Sequence, residues 1–442
     1  MASPTVVLNV VGLTPALLRA APRLRAYAEA NAVRPLTPVL PAVTTSVQAT
    51  MLTGRPVGGS EGHGIVGNGW YHRDLAEVRF WHRSAHLVRG PMVWDEARRR
   101  DPAVTVANLF WWYNAYSACD VVVQARPIYH ADGRKSPDCF TQPFDLRDEL
   151  QGKLSVFPLF RFWGPAADIT SSRWIADAAL HVLTTRRPTL TLVYLPHLDY
   201  ALQKLGPDHA EVARHVAEVD AVAGDLLDHC SAAGARAVVV SEYGITPTTR
   251  DATGGALFPN RVLRDAGLLR VRVEAGRETL DPGACDAFAV ADHQVAHVYF
   301  RPGFTAADQV RGLLTTGALA GVTIEPIDHD RAGDLVLVAP PGKWFSYDYW
   351  SADRPDLAPD FARTVDIHRK PGYDPRELFV DPALPLGGRL RIARRLLAKK
   401  LGMRALMDVI PLDTALVRGT HGRADLPLDA GPLLISPPDA LA

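Results

Sequence analysis

Pro41-Ala-Val-Thr44-Thr-Ser-Val-Gln48-Ala-Thr-Met-Leu-Thr53-Gly54 is the stretch around which the chain is organised. Its hydroxyl residues open a predicted helix directly after the apolar segment 36–40. Thr44 therefore lies where unpaired backbone N–H groups and the positive end of the helix favour an anion such as phosphate. A hydroxyl there can attack phosphorus when a neighbouring group or a metal ion lowers its pKa. The alternative is that Thr44 or Thr45 only caps the helix.

The overall composition limits the class of protein. The chain has 442 residues, 47% of them hydrophobic, and 48 Lys and Arg balance 48 Asp and Glu. This neutral balance gives no global field for a nucleic-acid polymer or an anionic membrane, so the expected partner is a small molecule bound at a local site. The length fits one large α/β domain with insertions as well as two domains. The sequence does not indicate an oligomeric state.

The cysteines and the hydrophobic runs indicate in which cellular compartment the protein is expected. The four cysteines are scattered without CxxC spacing, which predicts reduced thiols and no disulfide. The N-terminus lacks the basic start and apolar core of a signal peptide, and no apolar run is long enough to span a bilayer. We therefore expect a cytoplasmic protein without a membrane span.

Hydrophobic periodicity predicts that strands and helices alternate. A β-branched run at 6–11 leads into a helical pattern, and later strands are expected at 104–108, 191–195 and 237–241. The clearest helix begins near Pro207 and ends at Gly234. This alternation predicts a doubly wound, mostly parallel sheet with helices on both faces, whose ligands gather at the carboxyl ends of the strands.

Two stretches differ from this α/β pattern. Residues 70–165 are rich in aromatic residues, Pro and Gly, which predicts an insertion over the site, although the rings can equally fill a core. Residues 306–408 are expected to form a small α+β portion. The basic run 389–404 has leucines at helical spacing, which favours a solvated amphipathic helix over a membrane or nucleic-acid anchor.

Polar stretches fall at the ends of the predicted strands, where the sheet would bring them together. They are Val10-Val11-Gly12-Leu13, the Thr44 stretch, Pro196-His197-Leu-Asp199-Tyr-Ala-Leu-Gln203, Ser241-Glu242-Tyr243-Gly244 and Gly419-Thr420-His421-Gly422. A glycine-rich stretch, Gly62-His-Gly-Ile-Val-Gly-Asn68, follows the Thr44 helix. In this order the stretches resemble the alkaline phosphatase superfamily, specifically its type I phosphodiesterase/nucleotide pyrophosphatase branch.

The resemblance implies an alkaline-phosphatase-like fold, with residues 1–442 forming a single catalytic domain and the two stretches above lying within it. It also implies hydrolysis of a phosphate ester at two zinc-type ions. Thr44 stands at the nucleophile position of the family. Asp199 and His421 match two ligands of one ion.

Three departures from the family pattern concern the metal ligands. Gln203 stands where the family has a histidine ligand, Val11 replaces an aspartate, and Glu242-Tyr243 replaces an Asp-His pair. Valine cannot bind a metal, neutral glutamine is a poor zinc ligand, and tyrosine binds well only as phenolate. We therefore expect a divalent metal, zinc, and one ion rather than two.

Nearby side chains could rebuild the site. Asn9 lies on the same strand face as Val11 and could partly replace the missing carboxylate. Gln48 could substitute for an asparagine that the family places at Val47. If the chain is extended at His197, that ring and Asp199 point to one side and form a His-x-Asp pair of metal ligands, although a purely structural His197 is equally compatible.

The function predicted from these features is hydrolysis of a small phosphate ester by a divergent phosphodiesterase. One alternative is an enzyme on the same scaffold with metal-poor acid/base chemistry around Thr44. Another is a non-catalytic protein that binds a phosphorylated ligand. The expected site residues are catalytic Thr44, Glu242 and Tyr243, metal-binding Asp199, His421 and His197, and substrate-binding Gln48, Gln203, Asn9 and His293. His293 could instead satisfy backbone groups at a strand end.

Overall fold

The computed structural model describes residues 3–131, 134–403 and 405–438, so Arg404 of the basic run lies outside the described residues. The strands are β1 (Thr5–Val10), β2 (Ala32–Pro35), β3 (Gly69–His72), β4 (Glu77–Phe80), β5 (Val106–Leu109), β6 (Val121–Ala125), β7 (Ile128–Tyr129), β8 (Lys135–Ser136), β9 (Cys139–Gln142), β10 (Leu190–Leu195), β11 (Arg236–Val240), β12 (Thr246–Pro247), β13 (Ala256–Leu257), β14 (Val271–Glu274), β15 (Arg277–Leu280), β16 (Ala287–Asp292), β17 (Val295–Phe300), β18 (Thr323–Ile324), β19 (Leu335–Val338), β20 (Trp344–Phe345), β21 (Gly419–Thr420) and β22 (Leu433–Ser436). The α-helices are α1 (Pro15–Leu18), α2 (Pro22–Glu29), α3 (Thr44–Thr53), α4 (Val93–Arg100), α5 (Leu146–Leu154), α6 (Leu159–Phe162), α7 (Ile169–Thr185), α8 (His197–Leu205), α9 (Val212–Ala233), α10 (Pro259–Asp265), α11 (Ala307–Thr315) and α12 (Arg389–Lys400).

Eight strands of the described residues form the main sheet, in the order β2-β22-β11-β1-β10-β5-β6-β9. The five strands from β11 to β6 run parallel, and the remaining strands pair antiparallel at the two edges. β5, β6 and β10 are almost entirely buried, as expected for parallel strands that are covered on both faces. The predicted α/β class with a mostly parallel sheet is confirmed.

Helices α7 and α9 pack against each other and against the strands of this sheet. α9 carries its valines and leucines toward the core and ends at Gly234, which adopts a left-handed φ of 65°. Glycine is favoured at such a helix end because it has no Cβ to clash with the backbone. The predicted end of this helix is therefore confirmed.

A second sheet is antiparallel and has the order β16-β17-β19-β18. The stretch 306–408 supplies β18 and β19, whereas β16 and β17 precede it, so this α+β portion begins before residue 306. The stretch 70–165 gives β5, β6 and β9 to the main sheet, so only parts of it, such as the β3–β4 hairpin, stand outside that sheet.

Two further expectations concern the cysteines and the membrane. All four cysteines are buried and free, as predicted. None of the helices in the described ranges is long and apolar enough to cross a bilayer.

Candidate active site

The carboxyl ends of three adjacent strands define the candidate site. β1 lies between β10 and β11 in the main sheet, so the residues that follow these strands meet at one edge. Asp199 follows β10, Glu242 and Tyr243 follow β11, and Asn9 lies near the end of β1. The beginning of α3 faces this edge and brings Thr44 to Tyr243.

Thr44 does not cap its helix. α3 begins at Thr44, its N-cap residue is Val43, and no side chain accepts a capping hydrogen bond there. The Thr44 hydroxyl lies 2.8 Å from the Tyr243 hydroxyl instead, and the Thr45 hydroxyl donates to the Gly67 carbonyl at 2.7 Å. The Thr44 oxygen is therefore held at the first turn of a helix, where backbone N–H groups lack helical partners.

Tyr243 connects Thr44 to a carboxylate. Its hydroxyl donates a hydrogen bond to Asp199 Oδ1 at 3.3 Å. Burial, together with the nearby carboxylates Asp199 and Glu242, raises the pKa of Tyr243 well above its usual value, so the phenol is neutral and has one proton to donate. Either hydroxyl can be the donor in the bond between Thr44 and Tyr243, and Thr44 donates whenever the Tyr243 proton points to Asp199. The result is a hydrogen-bonded chain from Thr44 through Tyr243 to Asp199.

Asp199 is oriented by the glutamine one helical turn later. Residues four apart lie on the same face of α8, and Gln203 Nε2 donates to Asp199 Oδ2 at 2.9 Å. The Tyr373 hydroxyl in turn donates to Gln203 Oε1 at 2.7 Å. Burial raises the pKa of Asp199 to about 7, so this carboxyl can take up or release a proton near neutral pH.

Glu242 is held by two amides. Asn9 Nδ2 and Gln48 Nε2 both donate to Glu242 Oε1, at 2.5 and 2.6 Å, and the Trp112 backbone N–H donates to Gln48 Oε1 at 2.7 Å. The second carboxyl oxygen, Oε2, has no hydrogen-bond partner among the described residues. Burial raises the pKa of Glu242 to about 8. Asn9 and Gln48 therefore bind Glu242 instead of lining the pocket.

His421 is a neutral imidazole at the same site. Its Nδ1 lies 2.7 Å from the Ala42 carbonyl and must donate to it, which leaves Nε2 unprotonated. Nε2 has no hydrogen-bond partner in the described ranges and lies 3.6 Å from Asp199 Oδ1. Burial lowers the pKa of His421 to about 3, so this contact is not an ion pair.

Aromatic rings stack in a column beside these groups. His421 stacks on Tyr243 with an interplanar angle of 7°, and His293 lies between His421 and Tyr373. Each of the three contacts has a centroid separation of 3.7 Å. His293 occupies the turn between β16 and β17 and lines the pocket, so the second sheet contributes to the site.

Two donor atoms of the site could bind one metal ion. Asp199 Oδ1 and His421 Nε2 are separated by about the distance expected between two ligands of one Zn²⁺, and the Nε2 lone pair is free. At the other position Val11 has no donor atom, Tyr243 is a neutral phenol, and one oxygen of Glu242 already accepts two amide hydrogen bonds. Glu242 Oε2, by contrast, has no hydrogen-bond partner among the described residues.

His197 lies away from this site, and the expectation of an extended His-x-Asp pair was wrong. α8 begins at His197, so side chains two residues apart point roughly 200° from each other around the helix. His197 Nε2 lies 3.0 Å from Glu218 Oε2 and 3.0 Å from His215 Nδ1, both on α9. The ring connects two helices on the far side of Asp199.

A pocket opens from the site to the surface and has a volume of about 1090 Å³, including the space at its opening. Thr44, Asp199 and His293 lie on its wall. Its other lining residues are mostly aromatic or apolar and include Trp81, Trp112, Phe160, Phe162, Trp163, Tyr194, Tyr200, Val365, Ile367 and Tyr373. Two cations, Arg83 and Lys135, also line it.

Sequence reasoning did not assign several of these lining residues to the site. Trp112 follows β5 and Tyr194 lies near the end of β10, so the rule that ligands gather at strand ends could have found both. Arg83 lies between elements and Lys135 in the two-residue strand β8, and no periodic pattern in the stretch 70–165 marks either.

Comparisons with known proteins agree on the fold. The sequence profile described as type I phosphodiesterase/nucleotide pyrophosphatase matches residues 5–374. The phosphonoacetate hydrolase from Sinorhizobium meliloti 1021 in complex with phosphonoformate is 19% identical, with a TM-score of 0.54 over 81% of this chain and 84% of that chain. Murine ectonucleotide pyrophosphatase/phosphodiesterase 5 is 16% identical, with a TM-score of 0.55 over 98% and 88%. An inactive variant of the murine protein, in complex with AMP, is 15% identical, with a TM-score of 0.55 over 99% and 88%. No curated protein sequence matches significantly.

Proposed function

This chain belongs to the type I phosphodiesterase/nucleotide pyrophosphatase family, and on that basis we propose that it hydrolyses a small phosphate ester with Thr44 as the nucleophile. The family consists of metal-dependent phosphoric ester hydrolases, so its members share this class of reaction. The proposal adds the nucleophile, the proton path and the number of metal ions.

The observation that carries the proposal is the hydrogen-bonded chain that begins at Thr44. The Thr44 hydroxyl lies 2.8 Å from the Tyr243 hydroxyl, which donates to Asp199, and no helix-capping bond competes for it. Thr44 also lines the pocket, so a bound ester can reach it. A nucleophile within hydrogen-bond reach of a base that is itself oriented by a third group is the general arrangement for covalent catalysis.

The proton path follows from this chain. As Thr44 Oγ forms a bond to phosphorus, its proton passes to the Tyr243 oxygen, and the Tyr243 proton passes to Asp199. The bond from phosphorus to the leaving oxygen breaks, and the departing alkoxide takes a proton from water. Water then attacks the phosphorylated Thr44, the phosphorus–Oγ bond breaks, and Oγ recovers a proton through Tyr243.

Asp199 and His421 are the side chains that would hold a metal ion; a bound ion would keep Asp199 ionised, so the Tyr243 proton would then pass to water instead of to Asp199. A single Zn²⁺ bound there would neutralise negative charge on the phosphoryl oxygens. Gln203 keeps the Asp199 carboxyl in place, and the Ala42 carbonyl fixes the His421 tautomer that exposes the Nε2 lone pair. This arrangement supports one ion.

The pocket supports an ester with an apolar or aromatic group. Its wall beyond Thr44 consists largely of rings, and Arg83 and Lys135 can attract a negatively charged phosphate. The similar structures described above contain small phosphorus-containing ligands, AMP and phosphonoformate. A small phosphate ester is consistent with both observations.

The test is hydrolysis of bis(p-nitrophenyl) phosphate by the purified protein with added zinc. Thr44→Ala should lower kcat by about 10³-fold or more, because the variant lacks the hydroxyl that forms the covalent bond, whereas Thr44→Ser should keep a measurable part of the rate. Thr53→Ala, in the last turn of the same helix, is the control and should keep the wild-type rate. Acid quenching during turnover should trap a phosphoryl group on the Thr44 peptide.

The alternatives give different results in the same assay. Full activity after the metal is removed with a chelator would favour metal-independent acid/base chemistry around Thr44. Tight binding of the ester without turnover would favour a binding protein. An active Thr44→Ala variant would refute Thr44 as the nucleophile.

A further inference from the structure

Helix α12 presents an apolar face to solvent. Leu390, Leu397 and the C-cap residue Leu401 lie on one side of it, at spacings of seven and four residues, and are 64%, 57% and 66% exposed. Leu396 beside them is 53% exposed. A surface helix of a globular protein normally turns its leucines toward the core. In α12 the leucines point away from the rest of the protein.

Ion pairs hold the helix in this orientation. Arg391 donates to Asp408 at 2.8 Å, and Arg395 donates to both Asp408 oxygens at 2.8 and 2.7 Å. Arg391 and Arg395 therefore lie on the side of α12 that contacts the protein, and the leucines lie on the side that faces solvent. The outward leucines thus belong to a helix that is attached to the protein through its opposite side.

The charge of α12 indicates what could cover this apolar face. The helix contains six Arg and Lys and no Asp or Glu. Arg389, Arg394 and Lys400 are exposed, and within the described parts of the chain no acidic side chain pairs with them. Exposed leucines flanked by free cations suit a membrane surface with anionic headgroups, because the leucines enter the acyl boundary and the cations bind phosphates.

The helix lies close to the pocket of the proposed active site. Burial lowers the pKa of Lys399, on the inner side of α12, and the nearby Lys135 ammonium lowers it further. Lys135 lines the pocket and pairs at 3.1 Å with Asp366, another lining residue. Two lining rings, Tyr129 and Phe160, are 57% and 54% exposed and form an apolar part of the pocket mouth.

The wall of the pocket has few groups that could hydrogen-bond to a polar leaving group. Between the mouth and Thr44 its wall includes Trp163, Phe162 and Trp112, with few polar groups among them. Such a lining favours a hydrocarbon or aromatic group, since burying polar groups without partners costs free energy.

We infer that α12 docks on an anionic membrane surface and that the pocket takes a lipid phosphate ester from that surface, with the lipid chain among the pocket rings and the phosphate at Thr44. The choice of substrate rests on the proposed hydrolysis, whereas the docking rests on α12 alone. The neutral overall charge does not oppose docking, because the unpaired cations are concentrated on one helix.

Sedimentation of the full-length protein with vesicles tests the docking. The protein should bind vesicles of phosphatidylcholine with a minority of phosphatidylglycerol and bind pure phosphatidylcholine weakly. Two triple variants should each bind the mixed vesicles with an affinity at least about tenfold lower than the wild type. One combines Leu390→Ser, Leu397→Ser and Leu401→Ser, and the other combines Arg389→Gln, Arg394→Gln and Lys400→Gln. A control with two exposed leucines outside α12, Leu75→Ser with Leu428→Ser, should bind like the wild type.

Turnover of two esters separates the docking from the chemistry. Hexadecyl p-nitrophenyl phosphate in the mixed vesicles should be hydrolysed with a kcat/KM about tenfold or more above that of soluble methyl p-nitrophenyl phosphate. The α12 variants should lose only the hexadecyl advantage.

Several outcomes would overturn the inference. The docking is refuted if the wild-type protein does not bind the mixed vesicles or if the leucine variant still binds them. The rate with the methyl ester then tests the proposed function separately. Equal rates with both esters refute the lipid substrate. A wild-type dimer that the leucine variant converts to a monomer, without vesicle binding, would assign the face to contacts between copies of the chain.

Discussion

Tyr243 is the residue on which the geometry of Thr44 depends. Its hydroxyl contacts both Thr44 and Asp199, and its ring stacks on His421. In the family pattern this position belongs to a histidine that binds metal. A buried, neutral tyrosine cannot serve in that way, but it can pass a proton between a hydroxyl and a carboxylate. The substitution therefore fits a change from metal ligand to hydrogen-bonded relay.

Tyr243→Phe should test the relay. The variant keeps the ring against His421 and removes both hydrogen bonds, so kcat for bis(p-nitrophenyl) phosphate should fall by about 10²-fold while KM changes little. Tyr349→Phe is a matched control, because Tyr349 is also buried and its hydroxyl donates to the Glu278 carbonyl at 3.3 Å. An unchanged kcat for Tyr243→Phe would exclude proton transfer through this phenol.

Sequence reasoning located most of these residues, but it misplaced His197 and assigned Asn9 and Gln48 to the substrate, whereas both bind Glu242. Thr44, Asp199 and Tyr243 follow predicted strands or open a predicted helix, and parallel strands bring such positions to one edge by geometry alone. His197 could not be placed in this way. The segment after β10 can be read as extended or helical, and a spacing of two residues means the same side in a strand and opposite sides in a helix.

The β16–β17 hairpin supports the start of α3. Asp292, the last residue of β16, accepts from the Asn68 backbone N–H at 2.7 Å and from Asn68 Nδ2 at 3.1 Å. Asn68 Oδ1 accepts in turn from the Thr45 backbone N–H at 3.1 Å. A carboxyl group of the second sheet thus positions the residue next to Thr44.

Asp292 should make stability depend on pH. Burial raises its pKa from 3.8 to about 7, so the folded protein keeps a proton that the unfolded chain releases. The contribution of protonated Asp292 to the free energy of unfolding is fully present below pH 3.8. It is lost as the pH rises through 7, and the loss is roughly 4 kcal/mol at most. Urea unfolding at about pH 5 and pH 8 should show a smaller decrease with pH for Asp292→Asn than for the wild type.

An exposed carboxyl provides the control for this comparison. Asp308→Asn, at an exposed position of α11, should keep the wild-type pH dependence. If Asp292→Asn also keeps it, the Asp292 carboxyl does not hold a proton in the folded protein.

Sequence patterns predicted where some helices lie in the chain better than which side of each helix faces the core. The end of α9 was predictable because glycine marks a left-handed helix end. The leucine stripe of α12 was visible as well, but its period is the same whether the stripe faces the core or solvent. The ion pairs of Arg391 and Arg395 with Asp408 turn it outward, and such pairing depends on contacts that no local pattern encodes.

The site as a whole lies where the main sheet, the second sheet and the segment around Tyr373 meet. The main sheet was predictable because its strands are continuous apolar runs that alternate with helices. The segment around Tyr373 has no such period and is held by a buried ionic cluster. Lys370 contacts Asp374 and Glu377 at 2.8 Å each, and Arg376 donates to Asp348 at 2.6 and 3.0 Å.

Arg376→Gln should destabilise the whole protein. Arg376 is fully buried and also donates to Asp374 at 2.7 Å, so its removal leaves buried carboxylates without their cation, at a cost of about 3–5 kcal/mol in the free energy of unfolding. Arg354→Gln removes an exposed pair with Asp356 and should change the free energy of unfolding little, because water screens this pair. Urea denaturation of both variants measures the difference.

Because Tyr373 holds Gln203 beside Asp199, folded Arg376→Gln should also hydrolyse bis(p-nitrophenyl) phosphate more slowly than Arg354→Gln. Equal urea midpoints for the two variants would show that the cluster does not anchor this segment to the site.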